Sequence, residues 1–319
     1  MNSDIPLNLL ETVQHNSFKP PSSNVSLLIN DIMENYGDAV QAILFYGSCF
    51  HEGEDLDGLF DLYVIVSSYF PANRNCLHAV ANKLLPPNVF YLEAPGEKQT
   101  IRAKYALLSL NDLQKGTSKR WFHSYLWARF CQPTALVYAR NEKVAEQVNK
   151  SFSQAILTFV NRVLPSVSQE FTTRELWSKG LELTYRCEFR TEQADKQVRL
   201  FDATPEYFED ITSKGLDSSP YQVKEIESQG ASRYRAIIPS SVRVTSRITW
   251  TVRIVQGKIL SALRLIKGSL TFEGGVDYIL WKIKRHSGVT LEVSPFLRRH
   301  PLLAMCFLSW RLYRRGGIQ

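Results

Sequence analysis

The chain has 319 residues, which is long enough for two domains with hydrophobic cores of their own. Its hydrophobic content of 44% and charged content of 22% are those of a soluble globular protein. The five cysteines are scattered without a CxxC spacing, which argues against a structural zinc site or a disulfide framework and favours a reducing compartment. Residues 1–30 have neither the pattern of a secretory signal nor that of a mitochondrial presequence, so we expect neither.

The net charge of +7 is unevenly distributed along the chain. Residues 231–319 contain 16 basic and 3 acidic residues, a local charge of +13, whereas residues 1–230 contain 22 basic and 28 acidic residues, a charge of −6. An acidic body with a basic C-terminal part indicates an anionic partner for the latter. Nucleic acid and anionic lipid both fit this charge.

Strands and helices alternate along the first 140 residues. Residues 1–37 predict a poorly structured lead, broken at Pro20 and Pro21, and then a helix that Gly37 ends. β-Branched and aromatic runs predict strands, and apolar residues at helical spacing predict helices. The predicted elements are a helix at 25–36, strands at 42–48 and 59–66, a helix at 73–85, strands at 89–92 and 101–108, and a mainly helical stretch at 111–138 that ends in a short strand. This alternation predicts an α/β or α+β domain with a mixed sheet flanked by helices.

The loop between the first two predicted strands has the composition of a phosphate-binding turn. Gly47 and Ser48 end the first strand, and glycine lets backbone N–H groups come close to phosphate oxygens. Asp61, at the head of the second strand, could hold a divalent cation against the same phosphates. This layout resembles the nucleotidyltransferase superfamily, although that pattern has a second, alternating acid where this chain has Leu59 or Tyr63. An ordinary loop between two strands is the alternative.

The strand at 101–108 places Arg102 and Lys104 on one face, because side chains alternate along a strand. Two cations next to a phosphate-binding turn predict a triphosphate clamp. The alternative is an edge strand that its charges protect from pairing. Asp57 and Glu93 are the nearest acids in sequence that could complete a metal site around Asp61.

From residue 141 the sequence becomes helical. Long helices are predicted at 144–164 and 172–197, and the second begins with a candidate capping box at residues 172–175. The second helix has a dense charged run that includes Glu188 and Arg190, which is either a solvated face or the lining of a nucleotide cleft. Residues 196–230 are polar, with the composition of an exposed loop or a mobile lid.

The basic C-terminal part combines arginines with apolar and aromatic residues. An amphipathic helix is predicted at 252–270 and another helix at 276–284. The apolar run at 302–310 has about nine residues, whereas a transmembrane helix needs about 20. Flanking arginines, Trp310 and Tyr313 favour a segment that lies in the headgroup zone of a membrane. A terminal helix docked on the protein's own core is the alternative.

Several segments occur in one order between residues 43 and 285. They are Phe45-Tyr46-Gly47-Ser48, Phe60-Asp61-Leu62, Lys104-Tyr105 with Ser109, Tyr125 to Pro133 with Arg129, Leu183 to Arg190, and Lys267-Gly268. Together they resemble the mitochondrial translocator assembly and maintenance family, which are peripheral CDP-diacylglycerol synthases (phosphatidate cytidylyltransferases) with bacterial relatives. The chain departs from the family pattern at Ala106, Ala128 and Cys187, where the family has glycine, and at Glu188, where it has aspartate.

The resemblance implies a nucleotidyltransferase domain at 1–140, a helical, winged-helix-like domain at 141–235 and a basic, membrane-associating region at 236–319. The implied reaction joins CTP and phosphatidate into CDP-diacylglycerol and pyrophosphate with Mg²⁺. The implied partner is an anionic phospholipid surface rather than nucleic acid. The protein would then be peripheral, on the cytoplasmic face of the inner (plasma) membrane or, in a eukaryote, on the matrix side of the mitochondrial inner membrane.

We assign roles within the site from the charge balance that this reaction needs. Asp61 would hold the metal, with Asp57 and Glu93 as candidate further ligands. Lys104 and Arg129 would balance phosphate charge. The nucleotide-binding residues would be Tyr46, Gly47 and Ser48 from the first domain and Glu188 and Arg190 from the second.

Two other functions remain open from the sequence. One is a nucleotidyltransferase that acts on RNA or protein and uses the basic region to bind that partner. The other is a catalytically degenerate nucleotidyltransferase fold that serves as a binding scaffold.

Overall fold

The computed structural model describes residues 5–47, 59–73, 76–96, 100–188, 201–226 and 232–271, with a few isolated positions beyond them. We number the helices and strands of these residues in chain order. They are α1 (Leu7–Ser17), α2 (Ser23–Tyr36), β1 (Val40–Tyr46), β2 (Leu59–Val66), α3 (Tyr69–Ala72), α4 (Cys76–Leu84), β3 (Asn88–Pro95), β4 (Thr100–Ser109), α5 (Leu110–Thr117), α6 (Trp127–Phe130), β5 (Ala135–Ala139), α7 (Glu142–Val163), β6 (Glu170–Thr172), α8 (Thr173–Tyr185), α9 (Pro205–Asp217), β7 (Gln222–Ile226), β8 (Arg233–Ile237) and α10 (Ser240–Thr271).

The first five strands form one mixed sheet in the order β3-β4-β2-β1-β5. β2 and β4 run parallel, and each of the other neighbouring pairs is antiparallel. The central strands have long runs of β-branched, aliphatic and aromatic residues, as expected for strands buried on both faces. The predicted mixed sheet flanked by helices is confirmed.

The sheet separates two hydrophobic cores, because successive side chains of a strand point to opposite faces. Ile43 and Leu62 belong to the core that α2 covers. Tyr63 belongs to the other core, which continues through α7, α8 and α9 as far as Trp250 of α10. Asp61 lies two residues before Tyr63 on the same strand, so it lies on the face that the helical part covers.

The helical part contains a second, three-stranded sheet in the order β6-β8-β7, with both pairs antiparallel. The element order of this part is helix, strand, helix, helix, strand, strand. The winged-helix-like domain stays a prediction. α8 begins with the predicted capping box between Thr172 and Glu175. In its core the Trp177 ring stacks on Phe159 at a centroid distance of 4.3 Å, and the indole N–H of Trp177 donates to Thr212 Oγ1 at 2.7 Å.

The expectation of a poorly structured N-terminal lead was wrong for residues 7–17, which form helix α1. Leu9 and Val13 lie one turn apart on this helix and are buried, in the core shared with α7 and α9. Thr12 Oγ1 also donates to Asp210 Oδ2 of α9 at 3.0 Å. Burial against partners far along the chain therefore outweighs the proline-rich segment that follows this helix.

Two further expectations of secondary structure need correction. Residues 118–126 are not helical, and the side chain of Arg162 donates hydrogen bonds to the carbonyls of Lys119 and Phe122 there, at 2.8 and 3.1 Å. The segment predicted as a loop or lid contains helix α9, whose Phe208 and Ile211 are fully buried. This helix is part of the core and not a surface element.

Helix α10 is 32 residues long and is anchored by basic side chains that donate to backbone carbonyls. Arg253 Nε donates to Phe122 O at 2.8 Å, Arg264 Nε to Pro86 O at 3.2 Å, and Lys267 Nζ to Pro87 O at 2.7 Å. Its outer surface exposes an apolar stripe of Ile248, Val252, Val255, Ile259, Leu263 and Ile266.

Across the described helices, none is long and apolar enough to span a membrane. The predicted helix at 276–284 and the apolar run at 302–310 lie outside the described residues, apart from isolated positions in the former.

Candidate active site

The end of β1 and the start of β2 come together at the predicted phosphate-binding turn. Tyr46 is paired with Asp61 across these antiparallel strands, and Gly47 follows with a φ of 90°. A Cβ atom on Gly47 would lie only 2.8 Å from Oδ2 of Asp61, closer than real Cβ contacts. Glycine is therefore needed here both for its backbone conformation and for the close approach of the chain to the carboxylate.

Lys104 lies beside the same carboxylate. The parallel register of β2 and β4 places it opposite Asp61, and Lys104 Nζ lies 3.2 Å from Asp61 Oδ1. This oxygen is buried and accepts no hydrogen bond of good geometry from the residues that the structure describes. A buried carboxylate oxygen with lone pairs to spare can take a cation or a donor from a ligand.

Tyr63 occupies a position where the superfamily pattern has its alternating second acid. It is fully buried, and its ring contacts Tyr46 and Phe130 at centroid distances of 5.1 and 5.0 Å. Burial raises the pKa of Tyr63 well above its usual value, with a further contribution from Tyr125. The residue is therefore neutral at physiological pH and adds no negative charge beside Asp61.

Tyr46 is the aromatic residue that connects the turn to the helical part. Burial, and then the negative charge of Asp61, raise the pKa of Tyr46 to about 12, so its hydroxyl stays protonated. The guanidinium of Arg129, from α6, lies over the Tyr46 ring at 5.3 Å and over the Tyr125 ring at 5.4 Å. Arg129 thus lies between two aromatic rings at the edge of the turn.

Glu188 lies 3.9 Å from Arg129 and brings the end of the α8 segment to the same place. Burial lowers the pKa of Arg129, but Tyr63, Tyr46, Tyr125 and Glu188 outweigh that effect and hold the pKa well above its usual value. Arg129 is therefore a permanent cation. Its Nε is buried and has no hydrogen-bond partner within the described part of the chain.

Arg102 and Glu93 form a separate pair at the side of the sheet. Glu93 Oε1 accepts from Arg102 Nε at 3.1 Å and from Tyr91 at 2.8 Å. Glu93 is on β3, two strands away from β2, and neighbouring strands are about 4.8 Å apart. The alternative for this strand, a charge-protected edge strand, was wrong, because β4 lies between β3 and β2.

The predicted site residues that the structure describes therefore fall into three groups. Gly47, Asp61 and Lys104 are in direct contact or nearly so, and Tyr46, Arg129 and Glu188 extend from them towards the helical part. Glu93 is held by Arg102, and its role as a metal ligand stays a prediction. Ser48, Asp57 and Arg190 lie outside the described residues.

A divalent cation would find one hard oxygen ligand here, the buried Oδ1 of Asp61. Among the described residues, no group of three or more His, Cys, Asp or Glu side chains is placed to hold a metal ion. The phosphate oxygens of a nucleotide are ligands of the same kind, so the residues present fit a metal that is bound together with its nucleotide.

Two residues of this region were missed as site residues by the sequence reasoning. Tyr125 was recognised only as the first residue of the segment Tyr125 to Pro133 that resembles the family, yet the Arg129 guanidinium lies over its ring. Arg264, on α10, also lies over the Tyr125 ring, 4.1 Å from its centroid. Their separation of 139 positions leaves no local signal, because only the folded chain brings α10 to this loop.

Comparisons with known proteins add little to this geometry. Among solved structures, the chain is similar to a nucleotidyltransferase-like protein from Exiguobacterium sibiricum 255-15, at 7% sequence identity and a TM-score of 0.27. The alignment covers 68% of this chain and 100% of that one. No protein-family model matches the sequence, and no curated protein does.

Proposed function

We propose that this protein is a nucleotidyltransferase that joins CTP and phosphatidate into CDP-diacylglycerol and pyrophosphate. The observation that supports transfer chemistry is the contact of the Gly47 backbone with the Asp61 carboxylate, with Lys104 on the same carboxylate. The choice of CTP and phosphatidate rests on the ordered sequence segments that resemble the CDP-diacylglycerol synthases.

In this reaction a phosphate oxygen of phosphatidate attacks the α-phosphorus of CTP. A new P–O bond forms while the bond to the bridging α–β oxygen breaks, and pyrophosphate leaves with that electron pair. The attacking phosphate is already an anion at neutral pH, so the site needs no strong general base. It needs cations that bring two anions together and hold them in line.

Three of the described site residues have a part in this proposal. Gly47 allows the backbone to approach the triphosphate, and Lys104 neutralises phosphate charge beside Asp61. Asp61 would hold Mg²⁺, for which Asp57 remains a candidate second ligand. Mg²⁺, when bound, neutralises charge on the triphosphate and favours departure of pyrophosphate.

The second part of the proposal is association with an anionic membrane surface, where a lipid phosphate is found. α10 contains no Asp or Glu, and it exposes Arg247 and Lys258 together with an apolar stripe. A basic residue near an anionic leaflet contributes about 1 kcal/mol to binding. The protein would then act peripherally, on the cytoplasmic face of the bacterial inner membrane or on the matrix side of the mitochondrial one.

The test is a transfer assay with CTP labelled in its α-phosphate and Mg²⁺. The acceptors are phosphatidate vesicles, lysophosphatidate, glycerol 3-phosphate and RNA. We expect labelled lipid product with phosphatidate and equimolar pyrophosphate. Label in RNA, or in the protein itself, would show that the acceptor is that macromolecule and not a lipid. Absence of transfer to every acceptor, together with Mg²⁺-independent binding of CTP and ATP alike in calorimetry, would indicate a scaffold.

A further inference from the structure

The aromatic side of the site continues beyond Arg129 to a second guanidinium. Arg129 lies over the rings of Tyr46 and Tyr125, and Arg264 of α10 lies over Tyr125 at 4.1 Å. His123 stacks on Tyr125 at a centroid distance of 6.2 Å. A continuous row of side chains thus leads from Tyr46, which is paired with Asp61 across the strands, to Arg264.

This row contains hydrogen-bond donors that are buried without acceptors. Arg129 Nε and Arg264 Nη1 have no hydrogen-bond partner among the described residues. His123 is only 4% exposed, and its Nε2 is unpartnered in the same part of the chain. Its Nδ1 accepts from the Tyr125 backbone N–H at 3.3 Å, so the neutral ring carries its proton on Nε2 and is a donor there.

The histidine is neutral at physiological pH. Burial, and then the positive charges of Arg264 and Arg253, lower the pKa of His123 to about 4 against the opposing effect of Glu188. The three unpaired groups are therefore two fixed cations and one neutral donor. Such a set can bind an anion over a wide pH range around neutrality.

The charges of this row are not balanced by the carboxylate next to them. Glu188 lies 3.9 Å from Arg129, and its negative charge also acts on Arg264. Arg264 experiences the positive charge of Arg129, which lowers its pKa in addition to burial. Two half-buried guanidiniums with one carboxylate leave an excess positive charge, and an unpaired charge that is partly removed from water is costly unless a ligand neutralises it.

We infer that Arg129, Arg264 and His123 form a second anion subsite, which binds the phosphate monoester of the acceptor. This inference rests on the proposed function for the name of the acceptor, but not for the chemistry of the subsite. Gly47, Asp61 and Lys104 form the first subsite, for the nucleotide triphosphate. A guanidinium matches a phosphate with two parallel N–H groups, which a lone ammonium cannot do.

The two anions of the proposed reaction favour the acceptor for this subsite. Gly47 and Lys104 lie beside Asp61 at the turn and would take the triphosphate, which leaves the cations beyond the turn for the other phosphate. Arg264 is on the face of α10 that contacts Pro86 and Tyr125, and not in the exposed apolar stripe.

The experiment measures binding and kinetics with the full chain and two matched variants. Arg264→Gln removes the guanidinium, and Arg233→Gln removes an equal charge from an exposed position on β8. Calorimetry uses glycerol 3-phosphate, short-chain phosphatidate, inorganic phosphate and CTP with Mg²⁺ as separate probes. Loss of a charge-assisted hydrogen bond weakens binding by about 10- to 100-fold.

We expect Arg264→Gln to weaken the binding of both phosphate monoesters by that factor and to raise the KM for phosphatidate. CTP affinity should stay within about twofold, and Arg233→Gln should behave as the unaltered protein. Stronger binding of short-chain phosphatidate than of glycerol 3-phosphate would assign the subsite to a lipid phosphate. Equal affinities for these two, and for inorganic phosphate, would overturn the lipid assignment and leave a general phosphate site.

Three further outcomes would overturn the subsite itself. One is a loss of CTP affinity in Arg264→Gln, and another is unchanged affinity for every probe, since the residue would then only anchor α10 to Pro86. Should Arg264→Gln fail to fold in thermal unfolding, Arg264→Lys keeps the charge and one donor. Arg264→Lys should weaken the binding of the monoesters several-fold, and unchanged monoester affinity in this variant is the third outcome. Monoester binding that depends on Arg264 without any transfer activity would refute the proposed function but not the subsite.

Discussion

The contact between Gly47 and Asp61 gives the sharpest test of the active-site geometry. In Gly47→Ala the new Cβ would lie 2.8 Å from Asp61 Oδ2 and 3.2 Å from its Cβ, where an ordinary contact needs about 3.5 Å or more. The carboxylate must therefore move by several tenths of an ångström or more. The φ of 90° adds a conformational cost of about 1–2 kcal/mol for any residue with a Cβ.

This experiment has a matched control, because the described part of the chain has another glycine with positive φ. Gly37 has a φ of 49°, and a Cβ there would meet nothing within 4 Å. Gly37→Ala therefore carries a backbone cost of similar size without any contact with Asp61. Comparing the two variants separates backbone strain from displacement of the carboxylate.

We expect both variants to lose about 1–2 kcal/mol in the free energy of unfolding, measured with urea. Only Gly47→Ala should lose transfer activity, by about 100-fold in kcat/KM, because a misplacement near 1 Å can cost that much. The assay is CTP-dependent product formation at saturating phosphatidate. A Gly47→Ala variant as active as Gly37→Ala would refute the claim that this contact positions the nucleotide.

Three further predictions concern other parts of the molecule. Asp61→Asn should abolish CTP-dependent product while urea unfolding stays within about 1 kcal/mol of the unaltered protein, and an active variant would remove the metal-ligand role. Deletion of residues 289–319 should reduce co-sedimentation with anionic liposomes at physiological salt, and unchanged sedimentation would contradict an anchoring role. Burial, and then Arg264, lower the pKa of Lys267 to about 7, so the unfolded chain binds more protons than the folded one between pH 7 and 10. The free energy of unfolding should therefore rise with pH in this window, and it should rise less in Lys267→Met; equal slopes in the two proteins would contradict the lowered pKa.

Local sequence was enough to predict the sheet and the core of the site. Strands β1, β2 and β4 have runs whose side chains match a two-sided sheet, and their pairing places Asp61 opposite Tyr46 and Lys104. The need for glycine at position 47 also follows from a local rule, since a turn at a strand end needs positive φ. These features depend on residues that are neighbours in sequence or in adjacent strands.

The remainder depends on contacts between distant parts of the chain. α1 is stable because it packs on α7 and α9, and its bond from Thr12 to Asp210 spans 198 positions. Residues 118–126 have aromatic spacing that resembles a helix, but Arg162 and Arg253 take their carbonyls. Arg253 of α10 donates to a carbonyl of this loop that is 131 positions earlier in the chain, and no short window of sequence contains both residues.

The neutral ring of Tyr63 has a consequence for the order in which ligands arrive in the proposed reaction. With a single carboxylate, and an ammonium group already beside it, the cleft before substrate entry lacks the concentrated negative field of a two-acid centre. A triphosphate would meet little repulsion on its way in, whereas a bare divalent ion would find little to hold it. Metal and nucleotide would then enter as one complex, and the concentration of that complex, rather than of free ion, would set the rate.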